Sequence, residues 1–280
     1  VLSVYSLIKI KPKLIIGMGG YASFVVCLAG YFLRVPLIIY ENNLVIGRAN
    51  KFLLPFAKKI LVSTNSIQGI NNKYKSKIFY TGFLLRNRIL NLNKLNDNDT
   101  KKNLSILIMG GSQSAEAFGN EIPKIIKKCN DIGIKFNIFQ QCLDYQKKNI
   151  SNIYESINID FKLFNYIENL TEYYQNCDIA ITRCGASSLA ELVNLKTPFI
   201  AIPLPTSMDN HQLINAKYFQ NKGFCFLLEQ KNLSEKLFDM LKTMHEDRDM
   251  LNLFKKKMGK HTDKDSLLLA KKIIKETINV

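Results

Sequence analysis

Leu14-Ile15-Ile16 runs straight into Gly17-Met18-Gly19-Gly20 and then into an uncharged segment of helical period, and this order of events repeats along the chain. Short apolar runs suited to buried strands lie at residues 14–16, 37–40, 60–63, 104–109, 136–140, 179–182 and 198–202. Segments of helical period lie at 3–10, 24–33, 50–56, 115–128, 188–195 and 215–221, with a last helix, apolar on its Leu/Ile face, at 266–278. Strands this apolar have no wet face, so their alternation with helices specifies parallel sheets covered on both sides. Residues 91–103, NLNKLNDNDTKKN, are polar and without period, and read as a surface linker beside a domain boundary. A chain of 280 residues accommodates two such α/β domains. We expect two doubly wound domains, the first of them incomplete.

Residues 14–33 carry no charge and sit between Lys13 and Arg34, about the length of a membrane span. Gly17, Gly19, Gly20 and Gly30 interrupt the run, with Tyr21 and Ser23 among them, so a buried strand, a tight turn and a helix account for it better. The six cysteines are scattered without a CxxC pair and the three histidines do not cluster, which argues against a structural zinc site and fits a reducing compartment.

The net charge of +16 is uneven: residues 1–90 hold thirteen Lys or Arg against a single acid, Glu41. Two explanations stay open at this point. One is attraction to an anionic surface or a phosphate-rich substrate; the other is a general drift toward Lys, Asn and Ile, which abound throughout. Zinc-finger spacing, RNP-like aromatic motifs and a basic recognition helix are all missing, so nucleic acid is the weaker partner.

Three strand ends enter small or glycine-rich turns ahead of a helix: Gly17-Met18-Gly19-Gly20-Tyr21, Gly110-Gly111-Ser112-Gln113 and Cys184-Gly185-Ala186-Ser187-Ser188. Ligands of open α/β sheets bind at such ends, where glycine admits close backbone approach and a helix N-terminus favours phosphate. None of the three is GxGxxG with an acid about 20 residues on, nor GxxxxGK[ST], so dinucleotide and P-loop readings are weak. In the third turn, Glu191 has two readings. It is a carboxylate for both hydroxyls of a ribose, or it is the acid of a capping box Ser188-Leu-Ala-Glu191. Downstream, PLPTSMDNHQLINA packs polar residues between a buried strand and a helix, and His211 there is a ligand, a base or simply a hydrogen-bonding loop residue.

Taken in order, KPKLIIGMGGY, YENNLVIGRANKFLLPFAKKI, TGFLLR, MGGSQS, RCGASSLAEL and PLPTSMDNHQLINA resemble the MurG family of UDP-N-acetylglucosamine transferases. The resemblance implies an α/β chain of the GT-B glycosyltransferase class, with two Rossmann-like domains of parallel sheet facing a cleft. It places an incomplete N-terminal acceptor and membrane domain at 1–86, a C-terminal UDP-sugar domain at 87–261, and residues 262–280 packing back on the first domain. The implied reaction is transfer of GlcNAc, with inversion, from UDP-GlcNAc to the muramyl C4 hydroxyl of lipid I, giving lipid II. No metal or redox cofactor is implied.

By matching position, the resemblance gives Asn43 to the GlcNAc, within Tyr40-Glu41-Asn42-Asn43 where the family usually has HEQN. Arg86 falls near the donor diphosphate, although Phe83 and Leu84 replace the family's Asn-Pro, and Ser112 meets phosphate, with Ser114 in place of the last glycine of GGSQG. Ile167 meets the uracil edge; Ala186, Ser187, Ser188, Leu189 and Ala190 line the diphosphate and ribose; Glu191 takes the ribose hydroxyls; Gln212 reaches the GlcNAc hydroxyls. Gly17, Gly19, Gly20 and Tyr21 face the acceptor pyrophosphate.

Family members begin with a further strand and a glycine-rich turn ending in histidine, a candidate general base, to which nothing here corresponds. We therefore expect the chain to be a piece of a longer transferase, and we assign no catalytic base. A base contributes on the order of 10²–10⁴-fold. The basic N-terminal part, with Phe24, Tyr31 and Phe32, would suit a peripheral enzyme meeting an anionic membrane on the cytoplasmic face of the bacterial inner membrane. Three rivals are kept: another GT-B lipid glycosyltransferase, a non-catalytic membrane-associated binding protein, and a nucleic-acid-binding module.

Overall fold

Hydrophobic runs too short for anything but a strand alternate with helices throughout the computed structural model, which describes residues 2–92, 103–111, 115–167, 170–261 and 263–279. The chain divides into two units, residues 1–85 with 263–280, and residues 86–262.

Unit 1 opens with helix α1 (Leu2–Ile10), then β1 (Ile15–Gly17), α2 (Tyr21–Phe32), β2 (Leu37–Glu41), α3 (Arg48–Leu53), β3 (Lys59–Val62) and β4 (Ile78–Tyr80). The four strands are parallel in the order β1-β2-β3-β4, with Ile16 opposite Ile38 and Ile39 opposite Ile60. One face of the sheet buries Ile15, Leu37, Ile39 and Ile60 against Leu7, Cys27 and Leu53 of the three helices. The other face, Ile38, Tyr40 and Leu61, is covered by Ala270 and Ile273 of the C-terminal helix. Every residue of β2 is buried, as its continuous apolar run requires.

The uncharged stretch folds as strand and helix, and among the described residues no helix is long and apolar enough to cross a membrane. Its glycines have two separate jobs. Gly19 and Gly20 take φ of 86° and 79°, where a side chain is strained, and so complete the turn in time for α2 to begin at Tyr21 rather than at residue 24. Gly17 and Gly30 instead allow close packing. A Cβ on Gly17 would lie 2.9 Å from the Cys27 sulfur, and one on Gly30 would collide with Ile15 Cδ1.

Unit 2 begins with α4 (Asn87–Leu90) and continues β5 (Leu104–Met109), α5 (Ala115–Asp131), β6 (Phe136–Gln141), α6 (Lys147–Ser156), β7 (Phe161–Phe164), α7 (Thr171–Asn176) and β8 (Ile179–Thr182). It closes with α8 (Ala186–Asn194), β9 (Phe199–Ala201), α9 (His211–Asn221), β10 (Cys225–Leu227), α10 (Leu233–Glu246) and α11 (Arg248–Met258), before α12 (Ser266–Ile278) returns to unit 1. Its six strands are all parallel in the order β10-β9-β8-β5-β6-β7. The core is built on Ile106, Ile108, Ile138, Ile179 and Ile181, packed by Phe118, Ile122, Leu237 and Leu241.

Several expected boundaries move for local reasons. The helix expected at 50–56 is α3 followed by a 3₁₀ turn, Leu54–Phe56, because Pro55 cannot extend the α pattern. The helix expected at 215–221 starts at His211, and the one expected at 188–195 starts at Ala186. Strands β4, β7 and β10 have three or four residues each and were not expected; β4, β7 and β10 occupy sheet edges, where a short run suffices. All six cysteines are free and buried.

Candidate functional site

In unit 2 the chain starts at β5, moves outward to β6 and β7, then jumps back to β8 on the other side of β5. The strand order reverses between β5 and β8, and the crevice at the carboxyl ends of those two strands is where an open sheet of this kind takes a ligand. The loops flanking it are Gly110-Gly111 and Arg183-Cys184-Gly185.

Helix α8 leaves the second loop with Gly185 as its N-cap and with no side chain capping it. Ser188 is therefore the third helical residue, and the capping-box reading of Ser188 and Glu191 does not hold. Ala186, Leu189 and Ala190 are buried, so their side chains face the core and only their backbone is available to a ligand; Ser187 is exposed and Ser188 half-buried. The helix N-terminus turns backbone N–H groups and the positive end of its dipole to the crevice.

Glu191 is 4% exposed. Arg86 Nε meets its Oε1 at 3.2 Å, and the Tyr174 hydroxyl donates to Oε2 at 3.1 Å. Burial pushes the Glu191 carboxyl up, while Arg86, the Tyr174 hydrogen bond and Arg88 pull it down. Tyr174, on α7, is itself pushed well up by burial and by the adjacent carboxylate. Tyr174 escaped the sequence reading; the only signal was its place one strand ahead of the third turn.

Gln212, at the start of α9, accepts from the backbone N–H of Cys184 at 3.1 Å and of Leu204 at 2.9 Å, both on Oε1. That fixes the side-chain amide with Nε2 as the group left to donate. Asn215 Nδ2, fully buried, donates to the Cys184 carbonyl at 3.0 Å, so one helix grips the turn twice. His211 has Nδ1 2.8 Å from the Met208 carbonyl, an ordinary loop bond.

Arg183 is buried beneath the same turn. Its Nη1 donates to the carbonyls of Ile202 and Pro203, each at 3.3 Å, Nη2 donates to Gln230 at 2.6 Å, and the guanidinium lies 4.4 Å from the Phe118 ring centre. Burial lowers its pKa to about 10, so it remains a cation at neutral pH. Arg183 stands at the head of RCGASSLAEL, where spacing alone carries no sign of its burial. At the other flank Gly111 N–H donates to Gln141 Oε1 at 2.9 Å, and Gln141 Nε2 donates to the Asn165 carbonyl at 3.0 Å. Gln141 thereby ties the first loop to the segment carrying half-buried Ile167. Ser112, like Ser114, lies outside the described residues.

Unit 1 holds its own cluster at the carboxyl end of β2. Glu41, 4% exposed, accepts from Asn43 N–H at 3.0 Å and Asn43 Nδ2 at 3.2 Å on Oε1, and from Gly47 N–H and Asn50 Nδ2, each at 2.9 Å, on Oε2. A buried carboxylate with four N–H donors shapes the loop that presents Asn43. Tyr40, where the family usually has histidine, donates to Asn42 Oδ1 at 2.9 Å and accepts from Leu84 N–H at 3.1 Å. Burial pushes its hydroxyl up to about 12, so it titrates nowhere near neutrality. Of the residues expected at the acceptor, Gly19 and Gly20 form the turn and Tyr21 is 78% exposed, whereas Gly17 is buried at the end of β1 and is glycine for packing. The described residues contain no group of side chains suited to a metal ion.

Comparison with known proteins adds to this geometry. Residues 105–272 match the model of the glycosyltransferase family 28 C-terminal domain, and residues 1–62 match that of its N-terminal domain. A UDP-N-acetylglucosamine--N-acetylmuramyl-(pentapeptide) pyrophosphoryl-undecaprenol N-acetylglucosamine transferase of Pelagibacter ubique is 39% identical over 81% of this chain and 63% of its own length. The protein of the same description from Rickettsia prowazekii is 34% identical over 99% of this chain and 80% of its own length. The chain thus spans somewhat under two thirds of the first of these relatives. Among solved structures, Acinetobacter baumannii MurG superimposes with a TM-score of 0.79 at 25% identity, over 98% of this chain and 77% of that one. The UDP-bound Staphylococcus aureus MnaA matches with a TM-score of 0.72 at 12% identity, over 99% of this chain and 79% of that one, a likeness of fold alone.

Proposed function

The chain belongs to glycosyltransferase family 28, with the two parallel α/β units of the GT-B fold, and on that premise we propose that it moves GlcNAc from UDP-GlcNAc to the muramyl C4 hydroxyl of lipid I, forming lipid II. The observation that carries this reading is the buried Glu191 carboxylate at the switch point of unit 2, in the helix whose N-terminus follows Gly185. A carboxylate there suits a ribose diol, and the helix end suits the neighbouring diphosphate. Arg86 adds the cation that a departing diphosphate requires.

On this reading the C4 hydroxyl oxygen attacks the anomeric carbon from the face opposite UDP while its proton passes to a general base, which we assign to no residue of this chain. The bond from that carbon to the phosphate oxygen breaks, and the configuration inverts. Positive charge and N–H donors around the diphosphate stabilise the charge that grows on the leaving group, the term that most lowers a barrier of this kind. Gln212, with Oε1 locked by two backbone donors, offers Nε2 to a sugar oxygen. In unit 1, Glu41 holds Asn43, the residue that the family likeness gives to GlcNAc. The glycine turn after β1 would face the acceptor pyrophosphate.

Unit 1 would rest on an anionic membrane, on the cytoplasmic face of the inner membrane. Tyr5, Ile8 and Phe32 are exposed on α1 and α2, and a groove of about 430 Å³ between Tyr31, Phe56, Arg34 and Lys58 joins apolar walls to two cations. Such a surface gains from both apolar insertion and headgroup charge. Phe24, expected beside these residues, is half-buried and packs edge-on to Phe52.

Calorimetric titration with UDP-GlcNAc and UDP-glucose tests the donor reading. Preference for UDP-GlcNAc, lost in Glu191→Ala, is expected; a chain that is folded by circular dichroism and binds neither sugar nucleotide overturns it. For the surface, flotation with vesicles should fall with salt and with decreasing anionic lipid, and insensitivity to both would refute the membrane contact.

A further inference from the structure

The two groups that hold Glu191 are unlike one another. Tyr174 is 2% exposed, and its hydroxyl meets Oε2 in a desolvated, packed setting. Arg86 has a side chain 59% exposed, and it touches Oε1 through Nε, edge-on. That lacks the two-bond fork that makes arginine–carboxylate pairs strong, and solvent screens it. Arg86 is also the first residue of unit 2, in an extended conformation as N-cap of the four-residue α4, so no long helix fixes its side chain. One contact on the carboxylate is built in and the other is replaceable.

We propose that the ribose of a bound nucleotide takes the place of Arg86 on Glu191 Oε1, that Tyr174 keeps its bond to Oε2 throughout, and that the released guanidinium turns to the diphosphate. The inference rests on the reading of this crevice as a nucleotide site and assigns its working parts. An ionised carboxylate offers about four acceptor positions, so Oε2 can serve Tyr174 and one hydroxyl while Oε1 serves the other. A buried carboxylate needs a cation or it drifts toward its neutral form, which is the poorer acceptor. Arg86 supplies that cation, with Arg88 as a more distant one. When the nucleotide arrives, its diphosphate brings a larger negative charge and draws the guanidinium away as the diol arrives. Tyr174 is then a positioning residue: it touches no ligand and keeps the carboxylate plane aligned for two hydroxyls.

The exchange makes a prediction of opposite sign for two ligands. Uridine, without phosphate, competes with Arg86 for Oε1 and gains nothing from its release, whereas UDP recovers the cation on its diphosphate. With the whole chain at pH 8, Arg86→Ala should bind uridine at least as tightly as the wild type while binding UDP roughly tenfold or more weakly. Uridine is read by displacement of a fluorescent UDP conjugate. Tyr174→Phe should retain UDP binding but discriminate poorly between UDP and its 2′-deoxy analogue, from about tenfold in the wild type to twofold or threefold. Loss of uridine and UDP affinity by a similar factor in Arg86→Ala would mean that the guanidinium stays on Glu191, and would overturn the exchange. Undiminished discrimination in Tyr174→Phe would overturn the positioning role. A folded wild type that binds neither ligand would instead overturn the nucleotide-site reading beneath both.

Discussion

Glu41→Gln isolates one oxygen-for-nitrogen change at a buried hub. The wild-type carboxylate accepts four N–H bonds, two on each oxygen, of 2.9 to 3.2 Å. An amide keeps one oxygen, so two donors retain their acceptor and two face an NH₂ group that cannot accept. At about 1.5 kcal/mol for each bond to a charged group, the loss is about 3 kcal/mol. The side chain keeps its volume and its 4% exposure, so no cavity adds to that figure. The loop residues Asn43 and Gly47 carry backbone N–H groups bonded to this carboxylate, which makes amide hydrogen exchange the direct assay. Their exchange should accelerate about 100-fold, and the urea midpoint of unit 1 should drop by about 1 M or more. Protection of both amides at wild-type levels, with an unmoved midpoint, would show that the carboxylate does not hold the loop.

Three other outcomes follow from the same geometry. Gly30→Ala puts a methyl group into Ile15 Cδ1 and should destabilise unit 1 by about 1–3 kcal/mol by chemical denaturation; no change would mean that α2 and β1 have slack. Arg183→Met removes three hydrogen bonds, two of them to buried carbonyls, and should cost unit 2 about 2–4 kcal/mol, with Arg183→Lys recovering little because an ammonium lacks the planar fork; full recovery by lysine would refute this. Burial raises Glu191 above its ordinary 4.5. Its contribution to the stability of unit 2 is therefore complete below that value and is lost as pH rises through the native one, so Glu191→Gln should flatten the fall of the urea midpoint as pH rises above 4.5, and an unaltered slope would contradict the assignment.

Local chemistry determined a good deal here. The runs at Leu37 to Glu41 and Leu104 to Met109 are too apolar for any place but a parallel sheet interior, and both are fully buried strands. Gly19 and Gly20 dictated a turn where hydropathy alone suggested a membrane span. The ordered motifs pointed to the family that the domain models show, and within unit 2 Arg86 and Glu191, separated by more than a hundred residues, do meet. Other features had no sequence signature because they depend on who the neighbours are. Whether Glu191 capped its own helix or faced a crevice hinged on where α8 begins, and that was decided by Gly185 taking the cap. Tyr174 met Glu191, and Gln141 met Gly111, only when β8 was laid beside β5 and β6 beside β5, since pairing order is set by the packing of whole strands. That Gly17 packs closely on Cys27 appeared only once α2 was laid against β1. The Leu/Ile face of the last helix says that one side is covered and nothing of by what; Asp263 bonding to Phe83 N–H, and Ala270 and Ile273 lying over Ile38 and Leu61, gave it to unit 1. Periodicity and turn chemistry are properties of neighbouring residues, so a sequence displays them. Burial, register and the partner of a charged group are properties of the whole packed chain, and only tertiary structure assigns those.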